Sequence, residues 1–508
     1  MVTIGDLIER SASYFGDSEA YVFGERRLTY SQYADRVRRL AGSLYQLGMR
    51  RQDRVAILAT NCVEYFEVFG SAEWAGYIAA PVNFRLAPAE IEQVLRDADP
   101  KVLIFEAQYA PAVEKLRENL PEISHFVCLG DEATWAINYE ALVDEGPKSG
   151  APIRSRLDDY CHLFYTSGTT GRPKGVPQNH HAVLNAATST STTLAVQGDS
   201  RLLQITPAFH VGGKGFPLAA LLNGATLVLQ KAFEPVSMLD ALQDERVSHA
   251  FMVSAMLQEA LKVPDLGTYD FPHLSWIMTG AAPIPVPMLK RGIEVFGPVF
   301  TVQYGMTEIF GAVSMLPRHE VNPDGTPDQL RRLASVGHVL PELEFRIADD
   351  DDADCPDGTT GEVCVKIPFF TGYWNNSVAT LDAVRDGWYH TGDVGYLDEC
   401  GYLFLVDRKK DMIITGGENV YSREVENALF QHAGVLDAAV IGVPDPRWGE
   451  AVKALVVLKP GASVGEAEII AHCKALIASY KCPRQVEFIS ELPRLATGKV
   501  DKVSLRQQ

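Results

Sequence analysis

From Ser31 to Leu47, the residues Ala34, Val37, Leu40, Ala41, Leu44 and Leu47 recur at helical spacing. Gly48 ends the run, and the strand-like stretch Arg54-Val-Ala-Ile-Leu58 follows. The same order returns along the chain: a helix-like stretch near Tyr65 to Ala75, Ala89 to Ala98 ahead of Lys101-Val-Leu-Ile-Phe105, and Met238 to Arg246 ahead of His249-Ala-Phe-Met-Val253. Strands separated by helices lie parallel, and a parallel sheet needs apolar helices on both faces. The pattern therefore predicts an α/β fold built on a mostly parallel sheet.

From about Ser335 the texture changes to short alternating strands, Leu343-Glu-Phe-Arg-Ile347 and Gly361-Glu-Val-Cys-Val-Lys-Ile367, separated by Gly, Asp and Pro turns. This predicts a smaller β-rich portion, with the acidic run Asp349 to Asp354 as a solvated hairpin tip. After Asp407-Arg-Lys-Lys-Asp411 the alternation restarts. It gives a helix (Ser422 to Phe430), strands (Ala438 to Val443, Lys453 to Leu458), a helix (Ser463 to Ser479) and a strand (Gln485 to Ile489). About 100 residues suffice for a separate α+β domain. The expected division is a large N-terminal domain of α/β subdomains over 1–407, a connecting segment at 408–411 and a small C-terminal domain over 412–508.

The net charge of -19 has the wrong sign for neutralising many backbone phosphates, which excludes nucleic acid as the expected partner. Small anions remain compatible, because a local cluster of donors outweighs distant charge once screening acts over about 8 Å. Eight cysteines without a C-x-x-C predict reduced thiols, not a disulfide framework or a zinc site. The first ten residues lack the basic and apolar runs of an export signal. The most apolar stretch, Gly215 to Gln230, is broken by Pro217, Asn223 and Gly224, so no integral membrane segment is expected. A cytoplasmic protein is the expectation.

The strongest chemical signal is Tyr165-Thr-Ser-Gly-Thr-Thr-Gly-Arg-Pro-Lys-Gly175. Its glycines let backbone N–H groups face one concavity, its hydroxyls add donors, and Lys174 adds a mobile charge, which together suit phosphate oxygens. It is not a Walker A loop, because Gly175, not Ser or Thr, follows Lys174.

With this loop, further motifs occur in a fixed order: Pro207-Ala-Phe-His210, Gly280-Ala-Ala-Pro283, Tyr304-Gly-Met-Thr-Glu308, Gly387-Trp-Tyr-His-Thr-Gly-Asp393, Asp407 to Asp411, Gly416-Gly-Glu-Asn419 and Leu492-Pro-Arg-Leu-Ala-Thr-Gly-Lys499. In these the chain resembles the adenylate-forming superfamily of acyl-CoA synthetases, adenylation domains and beetle-type luciferases, and the resemblance covers nearly its whole length.

The resemblance implies an acid-CoA ligase that uses ATP, Mg²⁺ and coenzyme A, makes an acyl-AMP and then a thioester, and takes a fatty, aromatic or other bulky carboxylic acid. It implies ATP or AMP contacts from Thr166, Ser167, Gly168, Thr169, Thr170 and Lys174, from Gly280, Ala281 and Ala282, and from Gln303, Tyr304, Gly305, Met306 and Thr307. Asp393 and Arg408 then take the ribose, and Thr166 with Glu308 holds the metal, in keeping with the oxygen ligands Mg²⁺ favours. Lys499 is implied as the catalytic lysine of adenylation and Lys410 as the hinge about which a mobile C-terminal domain swings. Gly416 and Gly417 would face the pantetheine arm of CoA.

On the residues alone, His210 reads as a core histidine; the resemblance puts it at the wall between acyl pocket and thiol channel. Gly212 and Gly213 are expected to widen that pocket, Lys214 to give it one polar anchor, and Met306 to line it. The chain departs from its relatives at Asn419-Val-Tyr-Ser422, where they often read Pro in the last place. Ser is a good N-cap for the following helix. The alternatives are an adenylation enzyme that passes its acyl group to a carrier protein or amine, a luciferase-like oxygenase, and a non-catalytic nucleotide-binding sensor. The last would be expected to have lost Lys499 or Glu308. A homodimer is compatible with all of these.

Overall fold

The computed structural model describes every residue except 1, 167–172, 281–283, 416–417, 496–498 and 507–508. Among the described residues, two large sheets form where one was expected. The first has seven strands in the order Ile137–Asn138, His125–Leu129, Val102–Glu106, Arg54–Leu58, Ile78–Pro81, Tyr160–Thr166 and Lys174–Asn179. All its neighbours run parallel except the last pair, an antiparallel hairpin that sets Thr166 opposite Lys174. The phosphate-loop sequence is the connection of that hairpin.

The second sheet has nine strands, with a parallel centre and antiparallel edges. Its strands Arg201–Gln204, His249–Val253, Trp276–Gly280 and Phe300–Met306 all end towards the motifs singled out above. Between the two sheets lie the helices Ile4–Tyr14, Tyr30–Gln46, Val63–Ala75 and Gly215–Asn223, which share one core. The Tyr30–Gln46 helix starts on a capping box, in which the Thr29 hydroxyl accepts from Gln32 N–H and the Gln32 side chain accepts from Thr29 N–H. It buries Ala34, Val37, Leu40, Ala41 and Leu44, the stripe that the spacing predicts. The Val63–Ala75 helix shows no such stripe, because all its residues except Glu64 are buried.

The β-rich portion is an antiparallel sheet whose strands Trp388–Leu397 and Leu403–Arg408 pair Asp393 with Arg408. Its acidic tip turns through Asp352 in the left-handed region and is tied back by Arg346, which bonds Asp352 and Asp354. The C-terminal portion is a five-stranded sheet whose core is closed by the helices Ser422–Phe430 and Glu466–Leu476. The second helix is shorter than the stretch from Ser463 to Ser479 predicts, since Gly465 and Ile477 are both extended. No helix among the described residues is long and apolar enough to cross a membrane.

Candidate active site

Strand register builds the first part of the site. Asp393 and Arg408 face each other across two antiparallel strands, and Arg408 Nε lies 2.6 Å from Asp393 Oδ1. The second carboxylate oxygen accepts from the Tyr304 hydroxyl at 2.6 Å. The pair expected from sequence is thus a trio, with Tyr304 and Asp393 both buried and the guanidinium reaching solvent. Two of the glycines here are close-packing positions: an added Cβ at Gly305 would stand 2.1 Å from the Gly311 carbonyl oxygen, and at Gly280 2.8 Å from that of Gln303. Both keep the strand ends tight, which fixes the direction of the Tyr304 ring.

Glu308 stands in the short helical turn Thr307–Ile309 that follows the strand Phe300–Met306. Its Oε1 accepts from the Tyr373 hydroxyl at 2.8 Å, and Tyr373 and Tyr389 are joined hydroxyl to hydroxyl at 2.9 Å. The Lys174 ammonium lies 4.8 Å over the Tyr373 ring. Tyr389 lies within the Gly387 to Asp393 motif but has no role assigned from sequence, and Tyr373 lies outside every motif; its partner Glu308 is 65 positions away, which no local pattern signals. This set offers carboxylate and hydroxyl oxygens, the donors that suit a hard divalent cation. Gln178 Nε2 donates to the Thr307 carbonyl at 2.8 Å and steadies the turn. Gln303, on the same strand as Tyr304, lines a cavity with Asn185, Ala186, Gly311, Ala312 and Met315. Met306 packs between the β-rich core and the Tyr373–Tyr389 cluster.

His210 precedes the turn Val211–Gly213, its ring 4.4 Å from that of Phe209, and its Nε2 is buried with no hydrogen-bond partner. Burial, then the charges of Arg85 and Lys499, push its pKa down to about 4, so the ring is neutral near pH 7. An added Cβ at Gly212 would meet only Phe251, at 3.4 Å. That fits a position facing open space.

Two expectations for this pocket need correction. Gly213 is a close-packing glycine, because a Cβ there would lie 2.3 Å from the Pro207 carbonyl oxygen. Lys214 is no pocket anchor: its ammonium is 3% exposed, sits 2.8 Å from Glu73 Oε1 and lies 4.6 Å over the Phe69 ring. His162 Nε2 is 2.9 Å from the same oxygen. Burial alone would raise the Glu73 pKa, but Lys214 and His162 outweigh it and hold the carboxyl at about 2. Burial lowers the His162 pKa, so it acts as a neutral donor to that carboxylate. An isolated ammonium inside a protein is too costly to leave unpaired, so Lys214 turns away from the pocket to its counter-ion.

The C-terminal portion brings the remaining cations. Lys499 is exposed and lies within the electrostatic reach of Arg408, Asp393, Arg423 and Glu308. The protein crowded around it, and then the Arg408 charge, lower its pKa from the usual lysine value. Arg423 is the second residue of the helix Ser422–Phe430 and was not foreseen. Lys410 is exposed in the turn after the strand Leu403–Arg408. Ser167, Gly168, Thr169, Thr170, Ala281, Ala282, Gly416 and Gly417 lie outside the described residues.

Lys499, from the far end of the chain, is thus brought within electrostatic reach of Asp393, Arg408 and Glu308. The AMP-binding enzyme family matches residues 8–374, and the AMP-binding enzyme C-terminal domain matches residues 424–499. A feruloyl-CoA synthase of Amycolatopsis sp is 36% identical, with 99% of each chain covered. A long-chain-fatty-acid–CoA ligase of Mycobacterium tuberculosis is 35% identical over 100% of this chain and 99% of its own. The crystal structure of an anthranilate CoA ligase in complex with anthranoyl-AMP superposes with a TM-score of 0.92 at 28% identity, covering 100% of this chain and 97% of that one. The chain therefore belongs to the AMP-binding enzymes of the adenylate-forming superfamily, in its acyl-CoA synthetase branch, and is an ATP-dependent, AMP-forming acid-CoA ligase.

Proposed function

We propose that this enzyme activates a bulky, mainly apolar carboxylic acid, with the residues above in the following roles. The acid's carboxylate oxygen attacks the α-phosphorus of ATP; the bond to the β-phosphate oxygen breaks and pyrophosphate leaves with the electron pair. Lys499 meets the negative charge that grows on the phosphate oxygens in this step, and Lys174 with Thr166 to Thr170 holds the departing phosphates. Asp393 accepts from the ribose hydroxyls and is held in place by Tyr304 and Arg408. The CoA thiol, as thiolate, then attacks the acyl carbon and expels AMP past His210. No covalent protein nucleophile is required, because AMP is the activating group.

The carboxylate and hydroxyl oxygens of Glu308 and Thr166 fit Mg²⁺, which when bound would neutralise phosphate charge. Tyr373 orients Glu308 by holding one of its oxygens. The domain division at 408–411, the rotation about Lys410 and the passage of pantetheine along Gly416 and Gly417 belong to the same proposal, as does a cytoplasmic location. The removal of Lys214 from the pocket supports an acid without an anionic tail, such as the aryl and long-chain acids named for the relatives.

The observation that carries this reading is that Lys499, from the far end of the chain, comes within electrostatic reach of Asp393, Arg408 and Glu308. Pyrophosphate release over a panel of acids, with and without CoA, tests the substrate class. Lys499→Ala is expected to lose acyl-AMP formation by about 10² to 10³ while still converting supplied acyl-AMP and CoA to thioester. Equal loss of both half-reactions would make the lysine structural.

A further inference from the structure

Asp407 is the last residue before the connecting segment, and its carboxylate is 4% exposed. It accepts twice from one residue beyond that segment: Ser422 N–H donates to Oδ2 at 2.5 Å, and the Ser422 hydroxyl donates to Oδ1 at 3.1 Å. The same hydroxyl accepts from the Lys502 ammonium at 2.5 Å, and Lys502 also pairs with Glu426 at 2.8 Å. Ser422 is fully buried and opens the helix Ser422–Phe430, while Lys502 lies three positions past Lys499. One serine thus joins the large domain, the first helix of the C-terminal portion and the tail that carries Lys499.

Both bonds to Asp407 depend on the serine, because proline at this position has neither a backbone N–H nor a hydroxyl.

We propose that Asp407, Ser422 and Lys502 form a latch that holds the C-terminal domain in the arrangement presenting Lys499, with Ser422 as its positioning residue for the adenylation step. Asp407 precedes Lys410 and Ser422 follows it, so a rotation about Lys410 separates the two and opens the latch for thioester formation. The proposal rests on the assignment of Lys499 to adenylation.

Ser422→Pro is a direct test, because the fold accepts it. Ser422 is the first helical residue, where proline is favoured, and Tyr421 before it is already extended at φ -88° and ψ 120°. The expected result is a fall of at least roughly tenfold in the rate of acyl-AMP formation, since two charge-assisted hydrogen bonds are lost and one alone is worth about that much. The KM for the acid stays near the wild-type value, and supplied acyl-AMP and CoA are converted at an undiminished rate. Ser422→Ala, which keeps the N–H, falls between wild type and Ser422→Pro, and Ser422→Thr, which keeps both donors, restores the rate. Unchanged adenylation in Ser422→Pro, or an equal fall in both half-reactions, overturns the latch. Lys499→Ala run in parallel separates the two failures: if it adenylates normally, the assignment of Lys499 fails and the latch with it.

Discussion

Gly212 and Gly213 are neighbours of the same type, yet only the space around each decides its job. A methyl group on Gly213 must displace the Pro207 carbonyl, whereas one on Gly212 comes into ordinary contact with Phe251. Gly213→Ala is therefore expected to lower stability by about 1 to 3 kcal/mol, the usual cost of overpacking, and Gly212→Ala to leave the denaturation midpoint nearly unchanged. Gly212→Ala should instead shift preference towards smaller acids across the panel, and an unchanged ranking would remove it from the pocket. His180 carries a second expectation. It is fully buried, its Nδ1 accepts from Ile4 N–H at 3.2 Å, and burial pushes its pKa down to about 4. Unfolded histidine titrates near 6.5, so between about pH 6.5 and 4 the unfolded chain binds the extra proton and the folded chain does not. The contribution is intact above pH 6.5 and is lost as pH falls towards 4. A urea midpoint followed over that range should drop, and the drop should shrink in His180→Asn. At this scale sequence showed which residue types gather in each motif, but it had no means of separating a glycine that leaves room from one that closes it.

At the scale of elements, the sequence was informative where a wet face sets a period, as in the helix Ser422–Phe430, or where a short apolar run marks a buried strand, as in Arg54–Leu58 and His249–Val253. The strands Arg54–Leu58 and His249–Val253 and the helix Ser422–Phe430 have the bounds that their patterns imply. It was least informative for the helix Val63–Ala75, which has no polar face to set a period and yet buries Glu67 and Glu73. Those carboxylates are satisfied from elsewhere: Arg36 and Tyr139 reach Glu67, and Lys214 and His162 reach Glu73. The Glu73 site ties this helix to the strand Tyr160–Thr166 and to the turn that carries His210. Lys214→Met leaves a buried carboxylate without its counter-ion and is expected to cost about 3 to 5 kcal/mol, whereas Lys214→Met with Glu73→Gln removes both charges and should cost less than Lys214→Met alone. Urea denaturation of the three variants checks this. A double variant as unstable as the sum of the two single ones would show that the pair does not interact.

At the scale of the whole molecule, the sequence order of the motifs conveyed two domains and a connection, but not which arrangement of them is the stable one. That depends on contacts between segments 15 to 95 residues apart, such as Lys409 with Asp350 and Glu362, Arg506 with Asp411, and Ser422 with Asp407. In the arrangement described, Asp411 N–H and Met412 N–H both donate to the Arg408 carbonyl, and Lys409 N–H donates to that of Gly392. The N–H of Lys410 makes none of these bonds, and its φ is not in the positive region. Proline at 410 therefore removes none of these bonds, and with φ fixed near -65° it is incompatible with a hinge that must take up a second backbone conformation. Lys410→Pro is expected to keep acyl-AMP formation near the wild-type rate and to abolish most thioester formation. It should thus act in the opposite sense to Ser422→Pro, which releases this state instead of fixing it. Measuring the acyl-AMP burst and thioester formation separately on one preparation of each variant decides the matter. If Lys410→Pro slows both steps slightly and together, Lys410 is an ordinary linker residue and the rotation pivots elsewhere.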